Sequence, residues 1–266
     1  MENPVMEKIE DTPLGDRMKM YEGQATMMLD KKLPAVIRID GRAFHSYCRG
    51  FEKPFDKHIL DAMMYTTTKL CEEIQNAKIG YAQSDEISIL MMVDSEVAQS
   101  WFDGKTAKIL SVSASIATSY FNEYMEKIYW QPQRFKNKIA GKDSPDKRAN
   151  FDSRVFNLPV EEVNNYFWWR EQDAVRNSIQ SVAHSKYSQK QLHKKNTNAM
   201  IEMLKTEKSI DWNKDIPTHL QRGYCALREY YEKEGATRSR WSIDYNIPLF
   251  KDDRNYVGKF LEPSLI

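Results

Sequence analysis

The stretch GYAQSDEISIL, residues 80–90, sets two acids between two strand-like runs, AKIGYAQ before them and EISILMMV after. Acids are poor strand formers and costly to bury unpaired, so this run constrains the chain to a hairpin with Asp85 and Glu86 at its tip. A solvated turn accommodates them, because turns favour Asp. A cation-binding hairpin accommodates them as well, and it needs a second carboxylate elsewhere on the same sheet.

The run LPAVIRID, residues 33–40, supplies that candidate: it is β-branched, reads as a buried strand and delivers Asp40 at its end. Around these two strands the spacing predicts helices over 57–76 and 104–128, each with apolar residues at helical intervals, and a fourth strand over 153–159 stopped by Pro159. A helix over 15–30 precedes them, with Met18, Tyr21, Met27 and Met28 as its apolar face. The order strand, helix, strand, strand, helix, strand is the ferredoxin-like unit, a β-α-β-β-α-β antiparallel sheet. The fold class is therefore α+β. Residues 1–159 read as the N-terminal helix and this core. Residues 160–266 read as an α-rich lobe with helices over 160–187 and 189–207, a strand or irregular ribbon from residue 218 and a closing strand from residue 238. In the ferredoxin-like order the first strand lies beside the hairpin. Asp40 and Asp85 can then converge although 45 positions apart.

Bulk properties narrow the function. The net charge is +1, from 39 basic and 38 acidic residues, so a nucleic-acid role needs local basic patches rather than a polycationic surface. Cys48, Cys71 and Cys225 are widely spaced, which argues against a disulfide scaffold or zinc ribbon and for a reducing compartment. No apolar run approaches the roughly 20 residues needed to span a bilayer, and the N-terminal MENPVMEKIEDT has acids where a targeting peptide needs bases. A soluble, cytoplasmic protein with no membrane partner is expected. The five histidines form no HExxH cluster, and neither a G-x-x-x-x-G-K-[ST] loop nor a G-x-S-x-G elbow occurs.

Two carboxylates held together call for a divalent cation to offset their repulsion. In a two-metal phosphoryl- or nucleotidyl-transfer site, paired Mg²⁺ ions bridge such carboxylates and substrate phosphates. Gly41, lacking a side chain, allows close approach of its carbonyl or of a nucleotide. Glu86 can be a ligand, a neighbour of the ligands or a solvated acid. The amides of Arg42, Ala43, Phe44 and His45 offer a phosphate nest, although an ordinary loop with Phe44 in the core explains the same residues. Lys53 can reach phosphate or simply be solvated. Lys105 and Lys108 share a face near a helix start, where cations oppose the macrodipole, and this favours an anionic partner. Arg170, Arg176, Lys186, Lys190, Lys194 and Lys195, amid Trp168, Trp169 and Tyr187, suit RNA backbone contact and stacking, or a solvated helix face.

The segments RIDGRAFH (38–45), KPFD (53–56), YAQSDEISIL (81–90), KTAKILSVSASIATSYF (105–121), FDSRVFNLP (151–159), YFWWR (166–170) and IDWNKDIP (210–217) together resemble the tRNA(His) guanylyltransferase superfamily, enzymes that extend tRNA at its 5′ end. The resemblance implies a polymerase-type palm. It implies two Mg²⁺ ions on Asp40, the Gly41 carbonyl and Asp85, with Glu86 beside them as a third catalytic acid. It also implies a nucleotide site on Asp40, Gly41, Arg42, Ala43, Phe44, His45, Lys53, Ser84 and Asp85. Lys105 and Lys108 match a basic pair that meets the activating nucleotide, ATP or GTP. Val175 stands where tRNA(His)-specific members carry a histidine, while Arg176, Asn177 and Ser178 match the bacterial-type nucleotide-binding version. Templated repair of 5′-truncated tRNA is thus expected, with dedicated addition to tRNA(His) as the alternative. A nucleotide cyclase and a non-catalytic tRNA-binding protein remain as rivals on the same residues. A homotetramer, with Trp130 and Trp168 available to its interfaces, is expected from the resemblance as well.

Overall fold

The structure, a computed structural model, describes residues 12–24, 27–93, 98–139 and 147–261. Helix α1 (Leu14–Gly23) precedes strand β1 (Ala35–Gly41). A one-turn helix α2 (Phe44–Tyr47), helix α3 (Lys57–Glu73) and the hairpin β2 (Ala77–Gln83) and β3 (Glu86–Met91) follow. Helix α4 (Thr106–Met125) runs on through a π turn into α5 (Gln131–Ile139), and β4 (Phe151–Asn157) closes the expected unit. The long helix α6 (Val160–Lys186) leads to the short helices α7 (Gln189–Leu192), α8 (Thr197–Lys208), α9 (Trp212–Asp215) and α10 (Thr218–Arg222). Strands β5 (Tyr224–Lys233) and β6 (Ala236–Asp244) and a final turn α11 (Asn255–Gly258) complete it.

All six strands join one antiparallel sheet in the order β4-β1-β3-β2-β5-β6. The first four strands have the ferredoxin-like order. The last two come from the second half of the chain and extend the same sheet, so the division at residue 159 does not separate two sheets. Alternation along β1 sends Ile37 and Ile39 to the face covered by α3 and α4, and Val36, Arg38 and Asp40 to the other. That second face is covered by α6 through Val163, Tyr166 and Phe167.

Local chemistry accounts for the element ends. Asp56 caps α3 by accepting from His58 N at 2.8 Å and Ile59 N at 3.2 Å, a cap worth about 1 kcal/mol. Helix α3 lies close on the sheet because Gly80 has no side chain: a Cβ there would sit 2.6 Å from Cys71 Sγ.

Several expectations change. The expected helix over 15–30 ends at Gly23 as α1, and Met28 instead bridges to Lys105; the four residues expected on its apolar face, Met18, Tyr21, Met27 and Met28, are all at least 47% exposed. The expected helix over 189–207 breaks between α7 and α8, where Lys194 takes a positive φ and Asn196 caps α8. Trp130 is buried against Phe51 and Tyr129 because the π turn rolls it under the core, so it offers no interface. Tyr187 is also buried, with Lys208 Nζ 5.1 Å from its ring centroid. Among the described residues no helix is long and apolar enough to cross a membrane.

Candidate active site

The antiparallel register sets Asp40 directly opposite Glu86 on β3 and opposite Asp152 on β4. Asp152 is an acid that the sequence reading passed over, since the fourth strand starts two residues earlier than its apolar run suggests. Gly41 N donates to Asp85 O at 3.0 Å, which ties the hairpin tip to the end of β1. A Cβ on Gly41 would lie 3.0 Å from Asp85 Cβ and 2.5 Å from Phe44 Cδ2, so only glycine lets these segments meet. Asp40 and Asp85 therefore do converge. The Asp85 carboxyl is pushed up to about 6, first by burial and then by the nearby charges of Asp40 and Glu86, against a hydrogen bond from Ser84 Oγ at 3.0 Å that lowers it.

The donor set suits a hard cation: carboxylate oxygens, a glycine backbone and an unfavourable mutual charge that a cation would relieve. Among the described residues no three His, Cys, Asp or Glu side chains form a complete metal cluster. Mg²⁺ keeps waters and substrate oxygens among its ligands, so it needs fewer protein groups than such a cluster supplies. Asp40, Asp85 and the Gly41 carbonyl are the groups that would hold it.

Beside the pair, Ala43 adopts a positive φ of 52° and opens α2, leaving the Phe44 and His45 amides in the unpartnered first turn of a helix. Phe44 itself is buried against Tyr47, Phe121 and Phe151, while Arg42 and His45 are exposed. The Cys48 thiol is pushed up to about 12, first by burial and then by the charges of Asp85 and Asp56. Lys53 is exposed in the same loop.

Glu86 is only 4% exposed and is held by two arginines. Arg170 donates Nε to Oε1 at 2.6 Å and Nη2 to Oε2 at 2.9 Å. Arg38 donates Nε to Oε2 at 2.9 Å, and its Nη2 lies 2.6 Å from the same oxygen. Arg38 Nη2 also lies 3.6 Å from Asp40 Oδ2. Arg170 continues to Asp173 at 2.6 Å, and Asp173 in turn pairs with Arg176. Trp169, half exposed, stacks on Arg170 at 4.3 Å. Arg38 thus belongs to the site, and its signal in the sequence was its position two residues before Asp40, hence on the same face.

Other expected residues lie elsewhere. Lys105 and Lys108 are exposed at the opposite end of the sheet: Leu29 N donates to Gly104 O, and Asp30 N to Asn157 Oδ1, where Asn157 opposes Ala35. Asp40 opposes Asp152, five residues before Asn157 on β4, so roughly 17 Å at about 3.3 Å per residue separates that end from Asp40. Arg176 and Asn177 are exposed, but Ser178 turns inward on α6, where its Oγ accepts from Trp212 Nε1 at 3.2 Å.

Comparison with known proteins follows the same lines. Residues 15–159 match the family model described as tRNAHis guanylyltransferase. A bacterial tRNA(His) guanylyltransferase (Thg1)-like protein in complex with ATP is 43% identical, covers 95% of this chain and 100% of its own, and superposes with a TM-score of 0.83. A bacterial protein of the same description in complex with GTP is 41% identical, covers 93% and 98% of the two chains, and gives a TM-score of 0.74. A probable tRNA(His) guanylyltransferase of Drosophila melanogaster is 27% identical over 207 residues, 73% of this chain and 66% of the fly protein.

Proposed function

The chain belongs to the tRNAHis guanylyltransferase family, and from that premise we propose that it is a Mg²⁺-dependent 3′-to-5′ nucleotidyltransferase that rebuilds 5′-truncated tRNA against a template. The observation that carries this reading is the meeting of Asp40, Gly41 and Asp85 at one end of the sheet. When bound, Mg²⁺ would polarise phosphate and neutralise the departing pyrophosphate. Asp40 and Asp85 hold their negative charge toward that position. The first-turn amides of α2 orient a triphosphate, and Arg42 and Lys53 offset its charge. Both family steps are in-line displacements at phosphorus. In the first, a 5′-monophosphate oxygen attacks the α-phosphorus of ATP or GTP and pyrophosphate leaves. In the second, the 3′-hydroxyl of an incoming nucleotide attacks the activated 5′ phosphorus, loses its proton and expels the nucleoside monophosphate. One acidic centre can serve both.

Support for repair over a dedicated tRNA(His) role comes from Val175 and from the 43% identity to the bacterial guanylyltransferase-like protein, against 27% for the fly enzyme. The exposed Lys186, Lys190, Lys194 and Lys195 give the second half a basic surface suited to RNA phosphate. Trp169, half exposed over Arg170, offers a flat face to a base. The exposed apolar side chains of α1 suit a subunit interface, which supports the tetramer in this reading.

The test is incubation of the protein with Mg²⁺, each nucleoside triphosphate separately, and labelled 5′-truncated or full-length tRNA(His). Extension of truncated tRNAs of several identities is the expected result. A strong preference for full-length tRNA(His) would replace the repair reading with the dedicated one, and no extension of any tRNA would end both.

A further inference from the structure

Glu86 adjoins Asp85 and faces Asp40 across the ladder, a placement that invites reading it as a third cation ligand. Its hydrogen bonding points elsewhere. An ionised carboxylate has about four acceptor positions, two on each oxygen, and Arg38 and Arg170 direct four N–H groups at Glu86, at 2.6 to 2.9 Å, three of them at Oε2 and one at Oε1. Both guanidinium groups crowd Oε2, so a cation could bind there only by displacing one of them from a buried carboxylate. Arg38, meanwhile, stands between two acids: its Nη2 is 2.6 Å from Glu86 and 3.6 Å from Asp40. It is committed to the first and within reach of the second.

We propose that Glu86 is a positioning residue that holds the Arg38 guanidinium beyond hydrogen-bond distance of Asp40, in a longer ion pair, so that the Asp40 oxygens stay open to a divalent cation. The inference rests on the reading of Asp40 and Asp85 as the cation site. Strand geometry supplies the mechanism. Arg38 and Asp40, two residues apart, project from the same face, and Glu86 sits opposite Asp40 in register. If the charge of Glu86 is removed, the nearest anion left to Arg38 is Asp40. Pairing there would cancel the charge that attracts the cation and occupy its oxygens. Arg170 fixes Glu86 from the other side and is itself held by Asp173. The anchor is therefore built jointly by the sheet and by α6.

Mn²⁺ binding to the purified protein, followed by electron paramagnetic resonance of the free ion, tests this without turnover. Glu86→Gln alone would take from the buried Arg170 one of its carboxylate partners and leave it Asp173, so the variant to use is Glu86→Gln with Arg170→Met, which removes the pair together. It should bind Mn²⁺ at least about tenfold more weakly, the scale on which outer partners of ligands act. Adding Arg38→Met removes the competing guanidinium and should return binding toward the wild-type value. Thermal melts without metal check that each variant is folded. If the triple variant binds as weakly as the double, Glu86 is itself a ligand and the proposal fails. If the double variant binds like wild type, Glu86 positions nothing and the proposal fails equally. A wild-type protein that binds Mn²⁺ yet extends no tRNA would overturn the functional reading and leave this inference standing.

Discussion

The guanidinium of Arg170 reaches back 84 positions along the chain to hold both oxygens of the Glu86 carboxylate, at 2.6 and 2.9 Å. Helix α6 and the active-site hairpin are joined at that contact, where both side chains are almost fully buried.

Breaking such a pair on one side leaves an uncompensated charge out of water. In Arg170→Ala the Glu86 carboxylate keeps Arg38 as a partner, so stability should fall by about 3 kcal/mol, the lower end of the cost of breaking a buried pair. Replacing both partners, Arg170→Met with Glu86→Gln, should cost less, because the charges that remain, Arg38 and Asp173, keep Asp40 and Arg176 beside them. Urea denaturation of the three proteins measures the difference. Equal losses in the single and double variants would mean that packing, rather than charge, dominates this contact.

Asp85 carries a pH signature. Its carboxyl is raised from 3.8 to about 6 in the folded protein, chiefly by burial. Between those values the folded state holds a proton that the unfolded chain has released, so stability falls as pH rises through the window and stays reduced above it. Asp85→Asn, which cannot ionise, should then melt higher than wild type at pH 8 in the absence of metal, by a shift on the order of 2–4 °C. Added Mg²⁺ should raise wild type and leave the variant unmoved. Because protons compete with cations for the same oxygens, the Mg²⁺ requirement of nucleotide addition should steepen below about pH 6.

Gly41→Ala tests the close approach of β1 to the hairpin tip. The new methyl would meet Phe44 Cδ2 at 2.5 Å, and that ring is locked by Phe121 and Phe151. Overpacking of this kind costs about 1–3 kcal/mol. Activity should fall further than stability explains, because the strain is relieved by moving Asp85 or α2. Calorimetry with a nucleotide-addition assay separates the two effects, and a variant with full activity and a lowered melting point would show that the approach is structural only.

The parts of this architecture that local spacing controls were legible in the sequence. Ile37 and Ile39 alternate with Arg38 and Asp40, and the acid pair at 85–86 interrupts two apolar runs, so the strand order and the meeting of Asp40 with the hairpin followed directly. Contacts that depend on how α6 docks were not legible: nothing near Glu86 in sequence announces Arg170. Burial of Ser178 did have a signal, since Ala174, Ser178 and Val182 recur at helical spacing, and all three are buried. The sheet extension was obscured because β5 and β6 are half solvent-facing, with charged residues that hide the alternation. Lys105 and Lys108 were grouped with the site by resemblance, while the chain path carries them to the far end of the sheet.

The segment Arg176-Asn177-Ser178 gives the last prediction, because the helix divides it. Arg176 is exposed and paired with Asp173, which also holds Arg170. An anionic ligand can take Arg176 from that partner without disturbing the buried Glu86 pair. Arg176→Ala should therefore raise KM for RNA or nucleotide, leave kcat and stability nearly unchanged, and flatten the salt dependence of binding by about one unit of slope if the contact is to an RNA phosphate. Ser178→Ala should do the opposite. It removes the acceptor for the buried Trp212 Nε1, costing about 1–3 kcal/mol of stability with KM unmoved. Steady-state kinetics at two salt concentrations, beside melting curves, reads both variants. A KM effect in Ser178→Ala at full stability would mean that the serine reaches substrate and that α6 rotates when the ligand binds.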